Sequence, residues 1–290
     1  MDATSLAVDF GDSSFAVAAR LAKRLYDQHG CFLAKNLFAA HQLLPINSFV
    51  EVLVDTLFTK AGLIRPPGQA FPEGIADLAK IDRTLVGCLY DAGPRLLPVH
   101  QLAVDGRMVE LAKLMIGTAL IASSDINAMR IDLPNEDKYL FDWHQDYPYV
   151  LDSLDGIVFW VPLQDVDQEN GWLSLAVGSH QLGLLKLVVS DPNNRANNRT
   201  KSMRIADPSI VDRYTKVQVP LKSGDALVFN TLLVHASGAN RSARARCTLQ
   251  FRYGNFLHPV AIESGWRKAM RDGAVFHTLH PDHVVGDAVD

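Results

Sequence analysis

Cysteine is scarce in this chain, and its three copies, Cys31, Cys88 and Cys247, share no C-x-x-C spacing. That excludes an even disulfide framework and the common zinc-ribbon and dithiol motifs, and it favours free thiols in a reducing compartment. Long apolar runs are missing too. The best, LMIGTALIA at 114–122, is far shorter than the roughly 20 residues of a membrane-spanning helix. The opening MDATSLAVDFGDSSF carries acids early and no basic stretch leading into an apolar one, so no secretion signal is read there. Nor is there an excess of positive charge. The 28 Lys and Arg against 32 Asp and Glu leave a net charge of -4, and a duplex binder needs a cation for each phosphate it contacts. Two local basic groups remain, Arg241/Arg244/Arg246 and Arg195/Arg199/Lys201/Arg204. These absences point to a soluble, cytoplasmic protein with no nucleic-acid and no membrane partner. A monomer and a homodimer fit equally well.

What is present is ordinary globular composition, 48% hydrophobic and 21% charged over 290 residues, enough for a substantial core in one domain. The first 120 residues are predicted to be mainly helical. FAVAARLAKRLYDQ is an amphipathic helix with Ser13 or Ser14 as cap and Gly30 as stop; a second is expected from Asn36 to about residue 43, ended by Pro45. FVEVLVDTLFTKAGLI, parts of FPEGIADLAKIDRTLVGCLYDA, and VDGRMVELAKLMIG follow as further helices. Near Ala122 the periodicity changes. INAMRIDLP, LFDWHQDY, GIVFWVPL, TKVQVPL, DALVFNTLLVHAS and RCTLQFRYG have the β-rich, turn-bounded character of strands. No strand–helix alternation follows residue 150, which argues against a doubly wound sheet and for a sandwich or barrel. The expected division is helical support over 1–120, a β core over 121–256 with a polar Asn/Arg-rich insertion at 190–212, and a tail over 257–290.

The chemistry-bearing residues cluster in the β half. In WHQD, His144 and Asp146 are two positions apart, and on a strand such residues point to the same side. His235, in VFNTLLVHAS, could join them from a neighbouring strand. Two histidines and one carboxylate on one face of a divalent ion leave positions free, as Fe(II) oxygenases require; Zn(II) accepts the same donors. Eleven positions beyond His235, Arg246 opens the last strand. An arginine there could grip the distal carboxylate of a dicarboxylate through a two-pronged pair. The alternative is a solvent-facing charge at a strand edge.

With WHQD at 143–146, ENGWLSLAVGSH at 169–180, GDALVFNTLLVHASGANRS at 224–242 and Arg246, the chain resembles the phytanoyl-CoA dioxygenase-like group of Fe(II)/2-oxoglutarate oxygenases. The resemblance covers roughly 120–256. It implies a mainly β double-stranded β-helix, or jelly roll, flanked by N-terminal helices. It implies Fe(II) held by His144, Asp146 and His235, with 2-oxoglutarate as co-substrate and O₂ as oxidant. It implies that a C–H bond of a small-molecule substrate is hydroxylated or otherwise oxidised, with release of succinate and CO₂. Arg246 matches the arginine that holds the C5 carboxylate of 2-oxoglutarate. Asn127 matches a polar residue that helps bind it. Trp160 stands where relatives place a residue near it, and Ser237 lies near the distal carboxylate or serves as a turn hydroxyl. Asp146 separates the chain from relatives that halogenate carbon, which carry a small residue there. The histidines of FHTLHPDHVVGD, His277, His280 and His283, are expected in a surface tail or lid rather than in a second metal site. A cupin-like metal enzyme that does not use oxygen, and a silent binding protein, are the competing readings.

Overall fold

The computed structural model describes residues 1–12, 14–124, 127–188, 203–266 and 274–285. The part of the insertion at 189–202, with Arg195, Arg199 and Lys201, lies outside the described residues. Short-range signals are obeyed where the chain begins. After a short strand, β1 (Ala7–Asp9), the Ser14 hydroxyl accepts from the Val17 N–H and opens α1 (Phe15–His29). Gly30, at φ +76, closes it with its N–H on the Tyr26 carbonyl, a conformation glycine adopts without strain. Ala18, Ala22 and Tyr26, one turn apart, form the buried stripe.

The next segment departs from expectation. Asn36 caps no helix; β2 (Cys31–Lys35) runs up to it, and Asn36 takes φ +53 in the turn beyond. One helix, α2 (Ala40–Lys60), then runs straight through Pro45. Six residues in, the proline forfeits a single hydrogen bond, and the buried series Leu43, Ile46, Val50, Val54 and Leu57 outweighs that loss. The helices α3 (Phe71–Ile81), α4 (Arg83–Ala92), α5 (Leu97–Ala103) and α6 (Gly106–Ile116) follow.

The β half begins with β3 (Ile121–Ser123) and β4 (Ala128–Asp132). A single helical turn, α7 (Tyr147–Val150), precedes β5 (Ile157–Pro162) and β6 (Leu173–Ala176). The small pair β7 (Leu187–Val188) and β8 (Arg204–Ile205) flanks the insertion. Next come β9 (Lys216–Val219), β10 (Ala226–Asn230), β11 (His235–Ser237) and β12 (Arg246–Asn255). Two short helices, α8 (Pro259–Glu263) and α9 (Ala274–Leu279), complete the described chain.

Seven strands form one sheet in the order β1-β2-β10-β5-β12-β3, with β4 also paired to β12, and β11-β6-β9 form a second sheet of three. The β1–β2 pair is parallel and the other ladders are antiparallel. The expected jelly roll is corrected here. The architecture is mixed α/β, with six helices before β3 and a large sheet that is open, ending at β1 on one side and at β3 and β4 on the other. The two strands missed in the N-terminal half carry that difference, since a short apolar run such as CFLAK has no period that tells strand from helix. Helices cover one face of the large sheet, through Ile157, Phe159 and Val161 of β5. The second sheet covers the other, through Val158 and Trp160. Every residue of β5 is therefore buried.

Candidate metal centre

WHQD does not form the expected strand. His144 makes one isolated antiparallel bridge to His235, with backbone N–H to carbonyl distances of 2.9 and 3.0 Å in the two directions. The chain then turns into α7, with Asp146 as its N-terminal boundary and Pro148 in its first turn, a position where the missing N–H costs nothing. Alternation along a strand thus does not bring His144 and Asp146 together; the strand-to-helix turn does. Phe141, which on a strand would face away from His144, lines the cavity beside it together with Tyr149.

The three side chains are buried and converge. Their ligand atoms lie within 4.8 Å of one another, and this is the one such group of three among the described residues. Asp146 Oδ1 lies 3.5 Å from His144 Nε2 and 3.6 Å from His235 Nε2. Each Nδ1 faces a backbone carbonyl, Asp142 O at 2.7 Å and Leu233 O at 3.0 Å. Those contacts place the proton on Nδ1 and leave the Nε2 lone pairs directed at the common point, the usual outer support of a metal-ligating imidazole. Burial, with His144 alongside, pushes His235 down to about 3, so the ring is neutral across the physiological range. Burial alone would raise Asp146, but the Arg252 guanidinium and the two imidazoles outweigh it and hold the carboxyl well below its ordinary value. Two imidazoles and one carboxylate form a facial triad suited to Fe(II). No cysteine is among the residues that line the cavity, and burial pushes the Cys31 thiol up to about 12.

The triad stands in the wall of a cavity of about 420 Å³. Asn127, Trp160 and Ser237 line it, and Arg246 does not. Arg246 sits deeper, 1% exposed, its Nη2 2.7 Å from Asp132 Oδ2 and its guanidinium carbon 5.9 Å from the centre of the Trp160 ring. Asp132 is shared, because Arg130 also grips it, through Nη2 at 2.6 Å. Burial would raise Asp132, but Arg130 and Arg246 together hold it at about 2. Asn127 is engaged with protein groups, accepting from the Arg252 N–H and donating to the Ser123 hydroxyl.

The sequence reading placed none of Arg130, Gln250 and Arg252 among the site residues, although all three line the cavity. The signal was available as alternation. In β4, Arg130 and Asp132 alternate with the core residues Met129 and Ile131, and in β12 Arg246, Thr248, Gln250 and Arg252 alternate with Cys247, Leu249, Phe251 and Tyr253. Alternation is ordinarily read as one wet face. Here the polar face looks into the protein.

Gly171 and Gly238 close the loop behind Ser237. A Cβ on Gly171, at φ +89, would stand 2.6 Å from the Gly238 carbonyl oxygen. The tail histidines form no second cluster of three among the described residues. His280 Nε2 instead lies 2.6 Å from the Tyr147 hydroxyl, one residue past Asp146. The described end of the insertion packs nearby, with the Met203 N–H donating to the Tyr149 hydroxyl at 2.8 Å.

Residues 26–248 match the family model described as phytanoyl-CoA dioxygenase (PhyH). Phytanoyl-CoA dioxygenase domain-containing protein 1 of Danio rerio is 30% identical over 131 residues, 44% of this chain and 44% of that protein. L-proline trans-4-hydroxylase of Streptomyces griseoviridis is 25% identical over 136 residues, 41% of this chain and 51% of that protein. The chain spans about half the length of the curated relatives it matches. Among solved structures, the epimerase SnoN in complex with Fe3+, alpha ketoglutarate and nogalamycin RO superimposes with a TM-score of 0.59 at 17% identity, covering 86% of this chain and 89% of that one. The alpha ketoglutarate dependent carbocyclase SnoK gives 0.52 at 16% identity, covering 84% and 86%.

Proposed function

Because the chain belongs to the phytanoyl-CoA dioxygenase (PhyH) family, we propose that it is an Fe(II)/2-oxoglutarate-dependent oxygenase acting on a C–H bond of a small-molecule metabolite. The observation that carries this reading is the buried convergence of His144, Asp146 and His235 on one point in a cavity wall. When bound, Fe(II) with 2-oxoglutarate and O₂ supplies the oxidising power, and succinate and CO₂ are released. The residues of the chain bind, orient and exclude water. The carbonyls of Asp142 and Leu233 fix the imidazoles. Phe141 and Tyr149, packed edge to face at 5.5 Å, shield His144 on the cavity side.

To the distal carboxylate of the co-substrate we assign Arg246, with Trp160 and Ser237 beside it. Charge balance supports a carboxylate at this end of the cavity: Arg130, on the wall, and Arg246, behind it, share the single Asp132, which leaves one positive charge of the group to be met in a buried setting where pairing is strong. A cavity of about 420 Å³ lies in the range of small-molecule sites. We assign the prime substrate to the side of Phe141 and Tyr149, and hydroxylation as the outcome, the reaction named for the Streptomyces griseoviridis relative. We also propose that residues 1–290 act as one oxygenase unit, since α1–α6 pack on the sheet that carries β12.

Titration of anaerobic apo-protein with Fe(II) and then 2-oxoglutarate tests the reading. The expected result is a weak visible charge-transfer band that H235A lacks. Fe(II) binding without any such band would overturn the oxygenase assignment and favour a metal enzyme of another kind.

A further inference from the structure

The two oxygens of Asp146 have different partners. Oδ1 faces both imidazole Nε2 atoms, at 3.5 and 3.6 Å. Oδ2 accepts from Arg252 Nε at 2.8 Å, and both side chains are at most one-tenth exposed. Arg252 is itself held. Its Nη2 donates to Gln250 Oε1 at 2.7 Å, and its backbone N–H donates to Asn127 Oδ1 at 2.8 Å. Asp146 lies at the start of a single helical turn, off the sheet, whereas Arg252 lies in the middle of a ten-residue strand with neighbours on both sides. The rigid partner thus anchors the less supported one.

The geometry points to Arg252 as the positioning residue of the triad, resting on the oxygenase reading above. It occupies Oδ2 so that Asp146 offers a cation one oxygen only. A carboxylate is equally able to give both oxygens to one ion, and a carboxylate that did so would take a position the co-substrate needs. The Arg252 hydrogen bond decides between the two modes before any ion arrives, and Asn127 and Gln250 hold the guanidinium in place to do so. Outer partners of this kind commonly change metal affinity about 10–100-fold when removed.

Co(II) is the probe, because its visible d–d absorption reports ligand number without turnover. Apo wild type, R252M, R252Q and D146A are titrated with Co(II) and then 2-oxoglutarate, with circular dichroism and thermal unfolding run on each. The expected result for R252M is a loss of about 10–100-fold in Co(II) affinity. Its d–d spectrum is altered, and 2-oxoglutarate perturbs that spectrum less than in wild type. R252Q, neutral but polar, gives the same result and stands in if R252M does not fold. Wild-type affinity and an unchanged spectrum in either folded variant overturn the inference. If D146A loses Co(II) while folded R252M keeps it unchanged, only the role of Arg252 falls. If D146A binds Co(II) as wild type does, the triad and the oxygenase reading fall with it.

Discussion

The two faces of β12 are built from the same ten residues and do opposite work. On one face Cys247, Leu249, Phe251 and Tyr253 join the core under the helices. On the other, Arg246, Thr248, Gln250 and Arg252 carry charge and hydrogen-bonding groups into the interior, all buried or half-buried. The first face holds the fold together by removing apolar surface from water. The second takes polar groups out of water, which costs stability unless each is paired, and most of them are: Arg246 with Asp132, Arg252 with Asp146 and Gln250. The exception is Thr248, whose buried hydroxyl has no hydrogen-bond partner among the described residues. One strand therefore shows separately what stabilises this protein and what equips it.

The sharpest break of that contrast comes from the residues the polar face serves. H144A is expected to lose Fe(II) binding and substrate-driven succinate formation to below detection, measured by metal analysis and succinate assay, with the fold retained. An active H144A would remove the chemistry from this side of the sheet. On the apolar face, F251A is expected to cost about 3–5 kcal/mol in denaturant unfolding while the protein that remains folded binds Fe(II) normally. R246M divides the two roles, because Arg130 still pairs with Asp132. It is expected to raise the 2-oxoglutarate concentration needed for the charge-transfer band about 10–100-fold, the worth of a charge-assisted hydrogen bond, with Fe(II) affinity little changed. An R246M band that develops at wild-type concentrations would move the distal carboxylate to another residue.

Acid sharpens the comparison further. Asp132 is held at about 2, below the ordinary 3.8, so its contribution is present above the higher value and lost as pH falls through the lower. That is worth roughly 2 kcal/mol across pH 4 to 2, and D132N is expected to flatten part of the acid unfolding curve in that window. Part of the slope remains, because Asp146 is also held low. An unchanged curve would mean that the two arginines do not stabilise the ionised carboxyl. The smallest effect is expected from T248V. Removing a hydroxyl that has no partner among the described residues should leave stability within about 1 kcal/mol of wild type or raise it, and a clear loss would reveal a partner for that oxygen.

The metal triad was legible because each ligand type is uncommon in an apolar β segment and the order of motifs is particular. The α1 cap and stop, and the strands β4, β5, β9 and β12, were legible from capping residues and period. Two misreadings share a cause. Pro45 and WHQD were judged by local rules, yet α2 continues because its buried stripe outweighs one lost bond, and WHQD leaves the sheet because Pro148 and the α7 turn take the chain elsewhere. The open sheet was missed because β1 and β2 are short and join it through a distant strand, β1 pairing with β2 and β2 with β10 nearly two hundred residues later.

By itself, the sequence determined which side chains carry chemistry and which face of each long strand is apolar, since side-chain type and a period of two are local properties. Only the tertiary structure decided that the polar face of β12 looks inward, that Arg246 meets Asp132 and that Arg252 meets Asp146. Those pairs join residues more than a hundred positions apart. No local pattern encodes which of several buried arginines faces which carboxylate; the register of β4 and β12 sets the first pairing, and the turn after WHQD sets the second.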